Sequence, residues 1–572
     1  MFYADDMTIA GDVDQLRQVY RQLRERGPHN GLLIKGSKLV LVVPNCQHTP
    51  EWVAEARGSV LHEGAMVLGS PVGTEQYALA KAEEKARELQ SAFDAIATLR
   101  HSAGELRLMR TVMPYKVNHI LRCSKPVLAS KFAEALDDAF EKALKRTLRA
   151  NSIPFESGVI LQARRAKGGW GIPKAVSTLY GAYIGSRTLT GALVKELLGS
   201  VLPLPADCAE YMDSFQQRTG QQISVPMDDQ VFDVQKRINH AEEKARWESV
   251  KSDMYTDATR QTRLINHVSS LEADPYGCTA FLDDIDGFTE RYRGQHQAPD
   301  EHVLFRVAAC RQLAIPMVSE GVTCANWSRG DGCSMPVDTH GDHAGTCLKA
   351  AGWRIRRHNE VRDVLYQLAV EAGHTPGQNI GKEKPERMSA MRPADIWATT
   401  ARMSQEERDK YDSDGDVLMR DGSGAARGGR GTPGRDTDFI ETAYDVTITE
   451  TQQRNSLRPN ANVKAGAMAH DAYEAKLGKY RLLFEKLRDL GVRNRRFQPL
   501  AFESSGYVHP VARQRIKDWE AEAKLRLGPE RFAFIGSSTR RKISTIIHFW
   551  GAVALCGALR SGDWLGERGR QP

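Results

Sequence analysis

At 572 residues, with 41% hydrophobic and 26% charged positions, the chain has room for three or more domains and an ordinary globular composition. That excludes a wholly disordered chain, a collagen-like chain and a disulfide scaffold. The 79 Lys and Arg against 72 Asp and Glu leave +7, which permits a nucleic-acid partner without demanding one, and nine cysteines, an odd number in a long chain, suggest a reducing compartment.

No basic segment followed by an apolar one opens the chain, so no secretory leader is visible. It begins Met1-Phe-Tyr-Ala-Asp-Asp-Met-Thr-Ile-Ala10, where two carboxylates between β-forming residues predict a hairpin tip. A chain starting inside a strand looks truncated. Helical spacing over 13–27 ends at Gly27-Pro28. Residues 38–43 predict a strand, and 66–72 a second one broken by Gly69 and Pro71. From about 77 to 150 the pattern is long amphipathic helix, and more helix follows beyond the interruption Gly168-Gly169-Trp170-Gly171.

Residues 229–265 are highly charged and predict a solvated helical connector. Residues 404–437 are poor in large apolar side chains and dense in Gly, Asp and Arg, which predicts disorder. Their Asp412-Ser-Asp414-Gly-Asp416 fails as a calcium loop, with glycine misplaced and no glutamate closing it. The apolar run 543–559 is short for a membrane span and contains Ser544, Thr545 and His548, so a buried helix is expected.

Three constellations carry chemistry. In Tyr3-Ala4-Asp5-Asp6, adjacent carboxylates on a tight hairpin offer hard oxygen ligands to Mg²⁺ or Mn²⁺ near a phosphate. Gly31-Leu-Leu-Ile-Lys-Gly-Ser-Lys38, a strand, and Val67-Leu-Gly-Ser-Pro-Val-Gly73 follow in order. Together they resemble the C-terminal part of a reverse transcriptase palm, and the helical region 77–195 resembles the thumb of the same group. The resemblance implies that Asp5 and Asp6 are catalytic metal ligands. It also implies a third palm aspartate and fingers upstream of Met1, so this chain alone is not expected to polymerise.

The second constellation is Cys324, Cys333, His340, His343 and Cys347, five thiols and imidazoles interleaved with glycines. Such ligands can close a tetrahedral Zn²⁺ site. Gly341-Asp-His343 through Cys347 resembles the zinc knuckle of non-LTR retrotransposon proteins. Cys333, His343 and Cys347 are the shared ligands, with either Cys324 or His340 as the fourth. Arg357-His358-Asn359 follows, as in that family, and its basic surroundings would suit phosphate.

The third constellation spans the Gly-rich segment. Arg392-Pro-Ala-Asp395-Ile precedes it, and Ala443-Tyr-Asp445-Val-Thr follows. A helix with Lys476, Lys479 and Tyr480 comes next, then Phe497-Gln-Pro-Leu-Ala-Phe-Glu503. Carboxylates on neighbouring strands can ligate a metal that activates water, and a nearby lysine can offset developing charge. The set resembles the restriction-enzyme-like, PD-(D/E)xK endonuclease of site-specific non-LTR retrotransposons. The resemblance assigns Asp395 and Asp445 as metal ligands. With Thr447 at the usual lysine place, it assigns Lys476 from the following helix.

The expected fold is therefore α/β and multidomain. It comprises a partial palm (1–75), a helical thumb (76–228), a helical linker (229–300), a zinc-knuckle region (301–360), a restriction-like endonuclease (361–525) and a C-terminal tail (526–572). The resemblance implies a retrotransposon-encoded reverse transcriptase and endonuclease fragment that nicks DNA to prime reverse transcription, with the polymerase half inactive. The alternative is a catalytically dead nucleic-acid-binding relic. The implied cofactors are Mg²⁺ or Mn²⁺ and Zn²⁺; the partners are a DNA target and the element RNA, with no membrane, and the setting is nuclear. Basic runs 354–357, 493–496 and 540–542, with Trp353 and Phe497 adjoining, are the expected duplex contacts.

Overall fold

Local sequence signals set several of the element boundaries, such as the Asp12 cap and the Leu68-Gly69 turn. In this computed structural model they are described for residues 2–3, 6–43, 50–165, 169–199, 203–223, 233–253, 279–293, 301–328, 331–376, 380–382, 394–400, 419–421, 440–450, 466–489, 492–559 and 564. The fold is mixed α/β and mostly helical, with small sheets. It divides into two compact units. One is formed by residues 1–98, 111–143 and 173–245, the other by 99–110, 144–172 and 246–572.

The first unit opens with an antiparallel hairpin of β1 (Phe2–Tyr3) and β2 (Asp6–Met7), Tyr3 opposite Asp6. Asp12 then caps α1 (Val13–Arg26), its Oδ1 accepting from the Asp14 and Gln15 N–H groups at 3.0 and 2.9 Å. β3 (Val40–Val42) pairs in parallel with β4 (Ser59–Leu61) across α2 (Glu51–Glu55), burying Leu41, Trp52 and Val53 together.

The stretch 66–72, expected as one broken strand, is instead a hairpin. β5 (Gly64–Val67) pairs antiparallel with β6 (Ser70–Gly73). Leu68 and Gly69 turn at φ 49° and 80°, and positive φ at both central residues matches the twist of the flanking strands. His119 Nε2 lies 2.7 Å from the Leu68 carbonyl and 3.2 Å from the Ser70 hydroxyl, which anchors the turn.

The helices that follow are α3 (Glu75–Ile96), α4 (Ser102–Cys123), α5 (Pro126–Leu148), α6 (Phe155–Gln162), α7 (Ala175–Leu198), α8 (Ala206–Thr219) and α9 (Val234–Asp253). Asp137 receives the N–H groups of Ala175 and Val176 at 2.7 and 3.1 Å, satisfying the first turn of α7. α9 occupies part of the predicted connector; the remainder, apart from Asp233, lies outside the described residues.

In the second unit the Gly-rich interruption proves to be an anchor. Trp170 is fully buried and donates its indole N–H to Gln312 at the end of α11. This unit contains α10 (Ile285–Arg293), α11 (Glu301–Gln312), the short hairpin β7 (Trp327–Ser328) and β8 (Asp331–Gly332), α12 (Asp342–Thr346) and α13 (Ala351–Glu371).

A five-stranded sheet follows, made of β9 (Ile380–Lys382), β10 (Ile396–Thr400), β11 (Met419–Asp421), β12 (Ile440–Thr449) and β13 (Val492–Glu503). Its order is β11-β13-β12-β10-β9. β12 and β13 are parallel, joined through α14 (Ala467–Asp489); the other pairings are antiparallel. A parallel pair needs such a helical crossover. The segment expected to be disordered, 404–437, thus contributes the edge strand β11, Met419–Asp421; its other residues lie outside those described.

α15 (Pro510–Leu527) and α16 (Pro529–Ala558) complete the unit. The apolar run 543–559 is a buried helix end, packed against α11, α12, α13 and α15. Its polar residues are the ones that find partners. Thr545 donates to Asp284 at 2.6 Å, Ser544 accepts from the Phe281 N–H at 3.2 Å, and the His548 ring lies 4.3 Å from that of Phe281. Among the described residues, no helix is long and apolar enough to cross a membrane.

Two buried carboxylates bind elements of this unit together. Glu450, just past β12, accepts from Arg357 of α13 at 2.7 Å, with 8% and 4% exposure respectively. Burial alone would raise its carboxyl, but the charges of Arg357 and Arg311 outweigh that and hold it below the usual range. Glu503, at the end of β13, is fully buried against the start of α14 and accepts the Ala469 N–H at 3.1 Å; burial pushes its carboxyl up to about 7.

Both contacts are testable. Removing one partner of a buried ion pair strands the other, so Glu450→Ala should cost about 3–5 kcal/mol. Chemical denaturation followed by circular dichroism measures it, and a loss below about 1 kcal/mol would mean that Arg357 finds other compensation. Glu503 has a raised folded-state pKa, so the cost of ionising it is absent at acid pH, grows between about 4.5 and about 7, and is complete above. Glu503→Gln should therefore match wild type near about pH 5 and gain on it by about pH 8, on the order of 3 kcal/mol at most. A melting difference that does not vary with pH would contradict this.

Candidate functional site

The cysteines and histidine converge because the chain doubles back between them. The β7–β8 hairpin returns the backbone, and its pairing continues outward through the Cys333 N–H to the Asn326 carbonyl (2.9 Å) and the Cys324 N–H to the Met335 carbonyl (2.7 Å). The long gap between Cys324 and Cys333 is therefore closed by the pairing of β7 with β8. Asp338 accepts from the His343 N–H at 3.2 Å, and Gly341 takes φ 76° ahead of α12, where a Cβ would meet Leu555 of α16 at 2.3 Å.

The result is a cluster of Cys324, Cys333, His343 and Cys347 whose ligand atoms all lie within 4.8 Å of one another. The Sγ atoms of Cys324 and Cys347 are 3.8 Å apart, and Cys333 Sγ is 3.3 Å from His343 Nε2. Tetrahedral zinc with Zn–S of about 2.3 Å and Zn–N of about 2.0–2.1 Å separates sulfurs by about 3.8 Å and sulfur from nitrogen by about 3.6 Å. The four side chains fit, and the cluster could bind a metal such as zinc.

Burial pushes the Cys324 thiol up. Burial acts on Cys347 too, but the neighbouring thiols and the N–H groups of Lys349 and Ala350 outweigh it and bring that thiol down. A metal that takes all three as thiolates must release protons. His340, the other expected fourth ligand, is not in the cluster. Its Nε2 lies 3.2 Å from the Ala314 carbonyl and its backbone N–H bonds Asp338, so the tight turn into α12 sends His343 inward and His340 away.

A second constellation forms on the five-stranded sheet. Ile396 pairs with Tyr444, and the Asp395 N–H donates to the Tyr444 carbonyl at 2.8 Å, which leaves Asp395 at the end of β10 beside Asp445 of β12. Lys476 of α14 reaches Asp445 Oδ2 at 2.6 Å.

Asp395 Oδ2 accepts the Val446 N–H at 2.7 Å and lies 3.0 Å from His358 Nε2 of α13. Asp445 is buried, and that burial pushes its carboxyl up to about 6 even though Lys476 works the other way. Burial opposes the charged forms of Lys476 and His358, but their carboxylate partners outweigh it and raise both. Asp395 and Asp445 are thus neighbouring carboxylates, one held by His358 at a rim partly open to solvent and the other, more deeply buried, by Lys476.

Tyr480, beside Lys476 in sequence, is core: it is buried with its ring 4.8 Å from that of Phe497. Phe497 is thereby engaged in the same cluster, and Trp353 is stacked on Trp550 of α16, ring centroids 5.6 Å apart. Arg357 belongs to Glu450, and Arg540 pairs with Glu520 at 2.7 Å. These aromatics and arginines, expected at a duplex, are committed to packing and ion pairs inside the second unit. The side chains of Arg493 and Arg495, and Asp5 altogether, lie outside what is described; Asp6 is placed by its backbone in β2.

In the sequence His358 is singled out only within Arg357-His358-Asn359, and Glu450 not at all. Their positions become meaningful only once α13 is laid against β12. The chain matches no model of a known protein family and no curated protein.

The cluster predicts about one zinc per chain, measured by elemental analysis after desalting. Cys333→Ala with Cys347→Ala should remove it, while His340→Ala should leave it in place. Zinc retained in the double variant would dismiss the site.

Proposed function

We propose that this chain is a retroelement-encoded protein whose second unit nicks DNA with a divalent metal. The observation that carries the reading is that Asp395 and Asp445 stand at neighbouring strands of the sheet, with Lys476 2.6 Å from Asp445. A cation held by Asp395 and Asp445, Mg²⁺ or Mn²⁺, would supply positive charge to the phosphodiester and its attacking water.

The chain's own residues do the rest. Asp395, fixed by the Val446 N–H, presents a carboxylate at the rim. Asp445 holds the Lys476 ammonium in place, and that ammonium offsets negative charge accumulating on the phosphate oxygens. Water adds to phosphorus, one P–O ester bond breaks, and the departing oxygen takes up a proton.

On this reading the Cys/His cluster is a zinc knuckle seated ahead of the nuclease, the β1–β2 hairpin with Tyr3 opposite Asp6 is the end of a palm, and the helices after it are a thumb. DNA and the element RNA are the partners, and the nucleus is the setting. The nick would prime RNA-templated synthesis.

The test is nicking of supercoiled plasmid with Mg²⁺ or Mn²⁺. Asp395→Asn and Asp445→Asn should each abolish it, because loss of either carboxylate leaves the cation under-coordinated. Lys476→Ala should slow it on the order of 10²–10³-fold. Activity that survives Asp445→Asn unchanged would refute the assignment, and inactivity of the wild type on every duplex tried would favour a nucleic-acid-binding relic.

A further inference from the structure

His358 belongs to neither set of residues that carry the proposed function, yet it contacts the heart of one. Its Nε2 is 3.0 Å from Asp395 Oδ2 and 3.0 Å from the Val446 carbonyl oxygen. A carbonyl oxygen only accepts, so Nε2 carries a hydrogen and donates. The Val446 N–H donates to that same Oδ2 at 2.7 Å. One oxygen of the Asp395 carboxylate therefore receives two protein donors, one from the neighbouring strand and one from a helix. The carboxylate cannot swing, and Oδ1 is left as the oxygen for a cation.

The ring itself is held from behind. Its Nδ1 lies 3.3 Å from the Asn359 side-chain oxygen. Arg357, the preceding residue, is locked to Glu450 in the interior, which fixes the rotation of α13 about its axis. His358 is about a third exposed, so it stands at the rim with Asp395 rather than in the core.

We infer that His358 is a positioning residue that orients Asp395 for divalent-metal binding, acting through its Nε2 hydrogen. The inference rests on the proposed metal-dependent nuclease and extends it to a residue of α13. Hydrogen-bonded partners of metal ligands typically account for 10–100-fold in metal affinity.

The experiment is titration of the purified full-length, zinc-loaded protein with Mn²⁺, following the free-ion signal by electron paramagnetic resonance. Wild type, Asp395→Asn, His358→Ala and His358→Gln are compared, with zinc content and melting temperature as controls on folding. The glutamine amide can place an N–H donor near the position of Nε2.

Asp395-dependent binding that weakens about 10–100-fold in His358→Ala and largely recovers in His358→Gln supports the inference. Asp395-dependent binding that His358→Ala leaves within about twofold of wild type overturns it alone, since the second-ligand effect expected is larger. Equal losses in the alanine and glutamine variants overturn it too, because they point to packing rather than to the donor. Mn²⁺ binding indifferent to Asp395→Asn, or absent, removes the metal reading and this inference together.

Discussion

The buried pair of Arg357 and Glu450 is the constraint on which the second unit turns. Charges leave water only at a cost of several kcal/mol each, so the pair persists only where geometry brings the two together without slack. Here it fastens the first half of α13 to the end of β12. A Cβ on Gly345 of α12 would come within 2.6 Å of the same carboxylate, so no larger residue fits there, and the backbone just before Cys347 lies directly against Glu450. One carboxylate thus sets the spacing between the cysteine–histidine cluster, the helix that follows it and the strand that bears Asp445.

From that spacing the rest follows by adjacency. His358 comes next to Arg357 and reaches Asp395; Val446 comes next to Asp445 and supplies both an N–H to Asp395 and a carbonyl to His358. Lys476 arrives from the crossover helix that the parallel pairing of β12 and β13 requires. That helix has its own start satisfied by Glu503 from the far end of β13. The arrangement is a closed circuit of helix, strand, helix and strand, with a polar contact at each junction.

Much of this was legible in the residues. Clustered thiols and imidazoles announce a shared ligand, because such side chains seldom crowd together otherwise, and Cys333, His343 and Cys347 are close in space as they are in sequence. Asp395 and Asp445 come to neighbouring strands although about fifty residues separate them, since lengthening a connection costs little entropy. What could not be read was decided by tertiary geometry. The choice between Cys324 and His340 hangs on a hairpin of two-residue strands, and the Leu68-Gly69 turn hides inside what looks like one extended run. Arg357 carries the same local signature as a phosphate contact, but its burial depends on Glu450, far along the chain.

The end of α16 has a consequence for how the protein is made. Ala558 accepts the Ala325 N–H at 2.8 Å, beside Cys324, and Leu555 fills the space over Gly341. All four ligands leave the ribosome long before this wall exists. The cluster therefore waits, on the growing polypeptide, for residues more than 200 positions beyond Cys347, and contacts so distant in sequence form slowly. A ribosome that stops early would release a chain with every ligand present and one side of their enclosure missing.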